Sequence, residues 1–84
     1  MELKDTVKLM LSADFKERFQ AEYHQDKKRA EGLEKMLKAL KAGTLPFKPK
    51  CSYELLHEQL IYMKAKLKVL EERARIEQID LSEL

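Results

Sequence analysis

The chain has 84 residues, 44% hydrophobic and 38% charged, with two glycines, two prolines and no tryptophan, a composition typical of long helices and coiled coils. This length suffices for one small domain, and no apolar run is long enough to cross a bilayer. The net charge is only +2, but residues 27–50 hold eight Lys or Arg against two Glu, a local charge of +6 that can attract phosphates.

The N-terminal residues predict a short amphipathic helix over about residues 2–11, because Leu3, Val7 and Met10 recur at i, i+4 and i+7. Charged residues interrupt this segment, so it lacks the continuous apolar stretch that a secretion signal requires. The single cysteine, Cys51, cannot form an internal disulfide, which fits a reducing compartment. We therefore expect a cytoplasmic protein.

A second and longer helix is predicted over about residues 13–41. Ser12 can cap its first turn, and Gly43 supplies the left-handed residue that commonly ends a helix. Gly32, inside the helix, permits a bend or the close approach of another backbone. The apolar positions predicted to face a partner helix share a 3, 4, 3 spacing and are Ala30, Leu33, Leu37 and Leu40.

A loop over about residues 42–52, which contains two prolines, follows the second helix. Ser52 can cap a third helix, predicted over about residues 53–79. Its apolar residues, spaced 4, 3, 4, 3 and 4, form a coiled-coil seam of Leu56, Leu60, Met63, Leu67, Leu70 and Ala74. Two helices of similar length joined by a short loop make an antiparallel hairpin. We predict a single all-α domain, in which a short N-terminal helix precedes this hairpin.

Several apolar side chains lie outside the seam and need another cover: Phe15, Phe19, Tyr23, Ile61, Val69, Ile76 and Ile79. The N-terminal helix covers some of them, and we expect a second copy of the chain to cover the rest. The predicted assembly is therefore a homo-oligomeric helical bundle.

The sequence gives little support to metal, catalytic or groove-reading chemistry. Glu54 and His57 have the Glu-x-x-His spacing of di-iron bundles, but they flank the seam, which holds no further carboxylates. No nucleophile has an oriented base, so we predict no enzymatic activity, no metal ligands and no cofactor. The long loop and the interspersed acidic residues disfavour sequence-specific DNA binding and membrane binding.

Residues 23–32, with the sequence YHQDKKRAEG, interrupt the apolar positions of the second helix for about two turns. Asp26 stands where a seam residue is expected, and a single polar seam position can set the register between chains. Lys27, Lys28 and Arg29 next to Tyr23 can instead bind a phosphate and stack a base. A solvated surface is the third alternative. Of the three, we expect contact with another copy.

The third helix carries the pattern Leu55-Leu56-x-x-Gln59-Leu60-x-x-Met63-x-x-x-Leu67-x-x-Leu70-x-x-Arg73, followed by Ala74-x-Ile76-Glu77. This pattern and the proline-containing loop, over about residues 33–77, resemble the small phage and prophage proteins grouped as crAssphage-related. They also resemble the helical hairpin of phage sponge proteins that sequester the cyclic-nucleotide signals of CBASS and Thoeris defence.

The resemblance implies a non-enzymatic, phage-encoded sponge in the cytoplasm of an infected or lysogenic host. It implies a homo-oligomer, for which a hexamer is one form, with pockets between subunits that hold a cyclic di- or trinucleotide. Cations would contact phosphate and planar groups would stack a base. The candidate ligand-binding residues are Tyr23, Lys27, Gln59, Tyr62, Lys66 and Arg73. The alternative is a small oligomeric helical module that binds a host or phage protein.

Overall fold

The computed structural model describes residues 2–82, and this part of the chain is all helix and loop, with no strand. A 3₁₀ turn at Leu3–Thr6 runs directly into a single α-helical turn, α1 (Val7–Met10). Two long helices follow, α2 (Phe15–Ala42) and α3 (Tyr53–Glu77). The predicted all-α fold class is confirmed, and neither long helix is apolar enough over its length to cross a membrane.

Asp14, and not Ser12, caps the start of α2. The Oδ1 atom of Asp14 accepts a 2.8 Å hydrogen bond from the backbone N–H of Lys16, which has no partner within the helix. Ser12 Oγ accepts a 3.0 Å hydrogen bond from the backbone N–H of Asp14, so it fixes the chain just before the helix. The prediction of Ser12 as the cap is therefore wrong by two residues.

Glycine and serine set the remaining helix ends as predicted. Gly43 ends α2 with a φ of +76°, a left-handed conformation that glycine adopts without strain. Ser52 caps α3, because its Oγ accepts a 3.2 Å hydrogen bond from the backbone N–H of Leu55. Gly32 is different, since a Cβ added there would meet nothing within 4 Å. Of the two alternatives for Gly32, a bend or a close backbone approach, the second is not found within the described chain.

The two long helices pack antiparallel along two clusters of buried side chains. The cluster nearer the loop contains Ala30, Leu37 and Leu60, bordered by Leu33, Leu40, Tyr53, Leu56, Met63 and Leu67. The cluster nearer the termini contains Phe19, Tyr23, Leu70, Ala74 and Ile79, bordered by Leu67 and Leu81. Leu67 contacts both clusters and makes the core continuous. Every predicted seam residue of α2 and α3 lies in one of these clusters, so the seam is confirmed.

The N-terminal segment, residues 2–10, packs against α2 and does not lie beside α3 in the described chain. Thr6 is fully buried there, and its Oγ1 donates a 2.6 Å hydrogen bond to the carbonyl oxygen of Leu3. The Nε2 of Gln25 in turn donates a 2.8 Å hydrogen bond to Thr6 Oγ1. At the edge of this contact, Lys28 Nζ lies 3.2 Å from Glu2 Oε1. Polar residues of α2 therefore hold the segment in place.

Contacts within the chain account for most of the polar stretch at residues 23–32. Gln25 and Lys28 face the N-terminal segment, as described above, and Asp26 faces α3, where it pairs with Lys66 at 2.8 Å. Lys27 remains exposed. The stretch interrupts the apolar periodicity because it meets polar partners on two sides of α2.

Candidate functional site

A groove of about 600 Å³ lies between α2 and α3 at the end of the hairpin that carries the loop. Lys38 and Lys41 reach it from the last turns of α2, and Tyr53, His57 and Lys64 reach it from the first half of α3. We call this the loop-end groove. Its residues meet there because the antiparallel packing brings the end of one helix beside the start of the other.

The loop-end groove has an apolar floor and a flat pair of rings along one wall. Leu37 and Leu60, both buried in the core, form the floor. The rings of Tyr53 and His57 are stacked, with centroids 5.7 Å apart and planes only 11° from parallel. Residues at i and i+4 share a helix face, which explains why the two rings meet. A flat aromatic surface of this kind can stack a nucleobase.

The rim of the loop-end groove carries three lysines against one glutamate. Glu34 forms an ion pair with Lys64, and the Nζ of Lys38 lies 3.5 Å from Glu34 Oε1. The hydrogen bond from Lys64 is the main reason that the pKa of the Glu34 carboxyl is lowered. Lys41 lies beside these groups and is exposed. The excess of positive charge suits a phosphate, which would share the lysines with Glu34.

A second depression, of about 540 Å³, lies along the first half of α3, between Leu55 and Lys66, and is lined by residues of α3 alone. We call it the outer groove. Three of the predicted ligand-binding residues line it, namely Gln59, Tyr62 and Lys66. The side chain of Tyr62 is exposed, and its hydroxyl donates a 3.3 Å hydrogen bond to Glu58 Oε1. Gln59 Nε2 contacts the sulfur of Met63 at 3.8 Å.

Lys66 connects the outer groove to α2. Its Nζ lies 2.8 Å from Asp26 Oδ2 and 3.2 Å from Glu22 Oε1. The hydrogen bond to Asp26 is the main reason that the pKa of the Lys66 ammonium is raised. A phosphate at this position would have to compete with two carboxylates that already hold the lysine.

Tyr23 and Arg73, two more of the predicted site residues, contribute to the packing of the chain. Tyr23 is buried in the cluster nearer the termini, and its hydroxyl donates a 2.6 Å hydrogen bond to Glu71 Oε2. The Arg73 guanidinium carbon lies 4.9 Å from the ring centroid of Phe19, and Arg73 Nε lies 3.3 Å from Glu77 Oε2. The single chain thus brings Gln59, Tyr62 and Lys66 together, and Tyr23, Lys27 and Arg73 do not line that groove.

The sequence alone does not indicate the loop-end groove, although it contains parts of the signal. Residues 27–50 have an excess of Lys and Arg over Glu, and Lys38 and Lys41 belong to this basic segment. The i, i+4 spacing of Tyr53 and His57 also predicts a shared face. The sequence does not give the register of the hairpin, which sets Lys64 opposite Glu34.

The described residues contain no group of three or more His, Cys, Asp or Glu that could hold a metal ion. His57 stacks on Tyr53 at the mouth of the loop-end groove, and Cys51 is exposed in the loop.

The model of a family described as Sequestin matches residues 13–76, a segment that includes nearly all of α2 and α3 and the loop between them. Both grooves lie within the matched segment. No curated protein and no solved structure matches the chain.

Proposed function

The chain belongs to the Sequestin family, and on that premise we propose that it is a non-enzymatic protein that binds a small molecule and withholds it from other proteins. The family name is compatible with sequestration and does not specify a ligand. We propose that the ligand is a nucleotide second messenger, and specifically a cyclic di- or trinucleotide. In this proposal the protein is a phage-encoded sponge that suppresses a signal of bacterial immunity.

The loop-end groove is the observation that carries this proposal. It offers lysines for phosphates and a flat pair of rings for a base, the two features that a nucleotide ligand requires. Its volume of about 600 Å³ lies within the range of about 300–1,000 Å³ common for small-molecule sites. No chemistry on the ligand is needed, since sequestration works by mass action.

In the bound state, Lys38 and Lys41 contact phosphate oxygens while a base lies against the ring of His57 or Tyr53. When phosphate binds, Lys38 and Lys64 give up part of their ion pairing with Glu34 and contact the phosphate instead. Binding therefore weakens with added salt, because every contact at this exposed rim is screened.

The site that the resemblance implies is a pocket between subunits, and it remains a separate prediction; its candidate residues are Tyr23, Lys27, Gln59, Tyr62, Lys66 and Arg73. Three of its residues, Gln59, Tyr62 and Lys66, line the outer groove, which would form one side of such a pocket. Substitutions distinguish the two sites, because Lys41 and Lys66 lie on different grooves.

The test is the melting temperature of the purified protein with a panel of cyclic di- and trinucleotides. A ligand at 100 times its dissociation constant raises the free energy of unfolding by about 2.7 kcal/mol. We expect K41A to bind about tenfold more weakly, since it removes a charge-assisted contact. K35A is the matched control, because Lys35 is an exposed lysine of α2 that does not line the groove. Loss of the shift in K66A but not in K41A would move the site to the outer groove.

A protein-binding module is the second candidate function, and the exposed apolar side chains of α3 favour it. Leu55, Tyr62, Val69 and Ile76 are all exposed on this helix. If no nucleotide of the panel changes the melting temperature, the sponge proposal fails and an interaction module that binds a host or phage protein becomes the better account.

A further inference from the structure

The end of the hairpin that carries the loop holds a concentration of positive charge that acidic residues do not balance. Residues 35–53 contain five of the chain's seventeen basic residues and none of its fifteen acidic ones. The rest of the chain, with twelve basic residues against fifteen acidic ones, has a formal charge of −3. The five lysines are all exposed and are Lys35, Lys38, Lys41, Lys48 and Lys50. Charge separated in this way attracts a polyanion to one end of the molecule.

Lys48 and Lys50 lie in the loop over residues 43–52, which joins the neighbouring ends of α2 and α3. Packed helices are only about 8–10 Å apart, so the loop stays close to both helix ends. Within the part of the chain that the structure describes, neither lysine forms an ion pair. Lys64 and Lys66, by contrast, pair with carboxylates of α2. The loop lysines can therefore bind an external anion without giving up a contact within the chain.

An aromatic ring lies in the same loop. Phe47 is 57% exposed and directly precedes Lys48 in the chain. Pro46 and Pro49 stand on either side of this pair, and each fixes its own backbone φ, so the loop has few conformations to lose on binding. A single exposed apolar residue is common on protein surfaces, but a ring bordered by lysines can stack a base whose phosphates the lysines hold. We call Phe47, Lys48 and Lys50 the basic tip.

We propose that the basic tip binds single-stranded nucleic acid without regard to its sequence. Lys48 and Lys50 contact backbone phosphates, while a base of the strand stacks on the ring of Phe47. Stacking requires a base that is not paired within a duplex, so the ring contributes only to the binding of a single strand. An anionic membrane offers negative charge as well, but one exposed ring has little apolar area to bury among acyl chains.

The first test measures the fluorescence anisotropy of labelled oligothymidine and oligouridine at increasing salt concentration, with circular dichroism as the check of folding. We expect both strands to bind the intact protein more weakly as salt rises. K48A/K50A should reduce the slope of log affinity against log salt by about 1.4, at about 0.7 for each lost phosphate contact. K4A/K8A is the matched control, because it removes the same charge from two exposed lysines of the N-terminal segment. Binding of neither strand, or an equal change of slope in the two double variants, would overturn the proposal.

The ring has its own variant, F47L, which keeps an apolar side chain in the loop and removes the flat surface. We expect F47L to bind the single strand about tenfold more weakly, since a base stacked on an aromatic ring contributes at least this much. Its affinity for a duplex should stay at the wild-type value. Equal effects of F47L on strand and duplex would contradict the stacking contact. Binding to phosphatidylserine vesicles with none to either strand would show that the partner is a membrane.

The inference stands apart from the proposed sequestration of a cyclic nucleotide. None of the three residues of the basic tip lines the loop-end groove. The melting experiment with cyclic nucleotides can therefore fail while K48A/K50A still weakens the binding of a single strand, and the reverse result is equally distinct.

Discussion

The hydroxyl of Tyr23 donates a 2.6 Å hydrogen bond to Glu71 Oε2 and so joins α2 to α3 across the cluster nearer the termini. The ring of Tyr23 packs in this cluster with Phe19 and Leu70, while its polar tip reaches the rim of the core. A tyrosine fits here because its apolar body and polar end meet different surroundings. Tyr23, which the sequence analysis proposed as a residue that stacks a base, therefore stabilises the packing of α2 against α3.

Removal of this hydroxyl should destabilise the protein. We expect Y23F to lower the free energy of unfolding by about 1 kcal/mol, the usual net contribution of one hydrogen bond. Urea unfolding followed by circular dichroism measures the change. Y62F is the control, since the exposed Tyr62 should change stability by less than about 0.5 kcal/mol. Equal effects of the two variants would contradict the structural role of Tyr23.

The same contact predicts a dependence of stability on alkaline pH. Burial, together with the Glu71 carboxylate, raises the pKa of Tyr23 from 10.0 to about 12. The unfolded chain loses this proton at lower pH than the folded chain, so the contribution is complete below pH 10 and is lost as the pH rises through 12. The difference in unfolding free energy between wild type and Y23F should therefore shrink over that interval. A difference that stays constant would contradict the assignment.

The two glycines should respond to alanine with opposite signs. G32A should raise the free energy of unfolding by about 1 kcal/mol, because Gly32 is exposed inside α2 and an added Cβ meets nothing. G43A should lower it by about 1 kcal/mol, because Gly43 has a φ of +76° that alanine adopts only with strain. Thermal unfolding of both variants checks the pair. Stabilisation by G43A would show that α2 ends differently.

The loss of stability on substitution by alanine should be much larger for a buried leucine than for an exposed one. L60A should cost about 3 kcal/mol, because Leu60 is buried in the cluster nearer the loop and its loss leaves a cavity. L11A should cost less than about 0.5 kcal/mol, since Leu11 is 81% exposed. Urea unfolding of the two variants makes the comparison. Similar costs would mean that the two helices pack along a different seam.

The long helices and their seam were predictable because the spacing of apolar residues along a helix indicates which face is buried. Leu60 and Leu70, which recur in register with the helical turn, are buried as expected. The start of α2 was less predictable, since Ser12 and Asp14 are both good caps and only the path of the chain decides between them. Helix boundaries depend on such local choices more than helix existence does.

The polar stretch and the loop-end groove could not be derived from periodicity, because both depend on contacts between distant residues. Gln25 bonds to Thr6 across 19 residues, and Asp26 pairs with Lys66 across 40. The groove likewise joins lysines of α2 with rings of α3, so it exists only once the register of the hairpin is fixed. Residue types and spacing indicated the chemistry, while the fold decides which of those residues meet.

The most direct test of the central claim, that the loop-end groove sequesters an intact nucleotide signal, is to identify what the protein retains. The protein is mixed with the cyclic nucleotide panel, freed of unbound ligand and denatured, and the released molecule is analysed by mass spectrometry. We predict an unmodified cyclic di- or trinucleotide from the wild type and from K35A, and far less from a K38A/K41A variant. Retention of no nucleotide, release of a cleaved product, or equal retention by K38A/K41A would contradict the account.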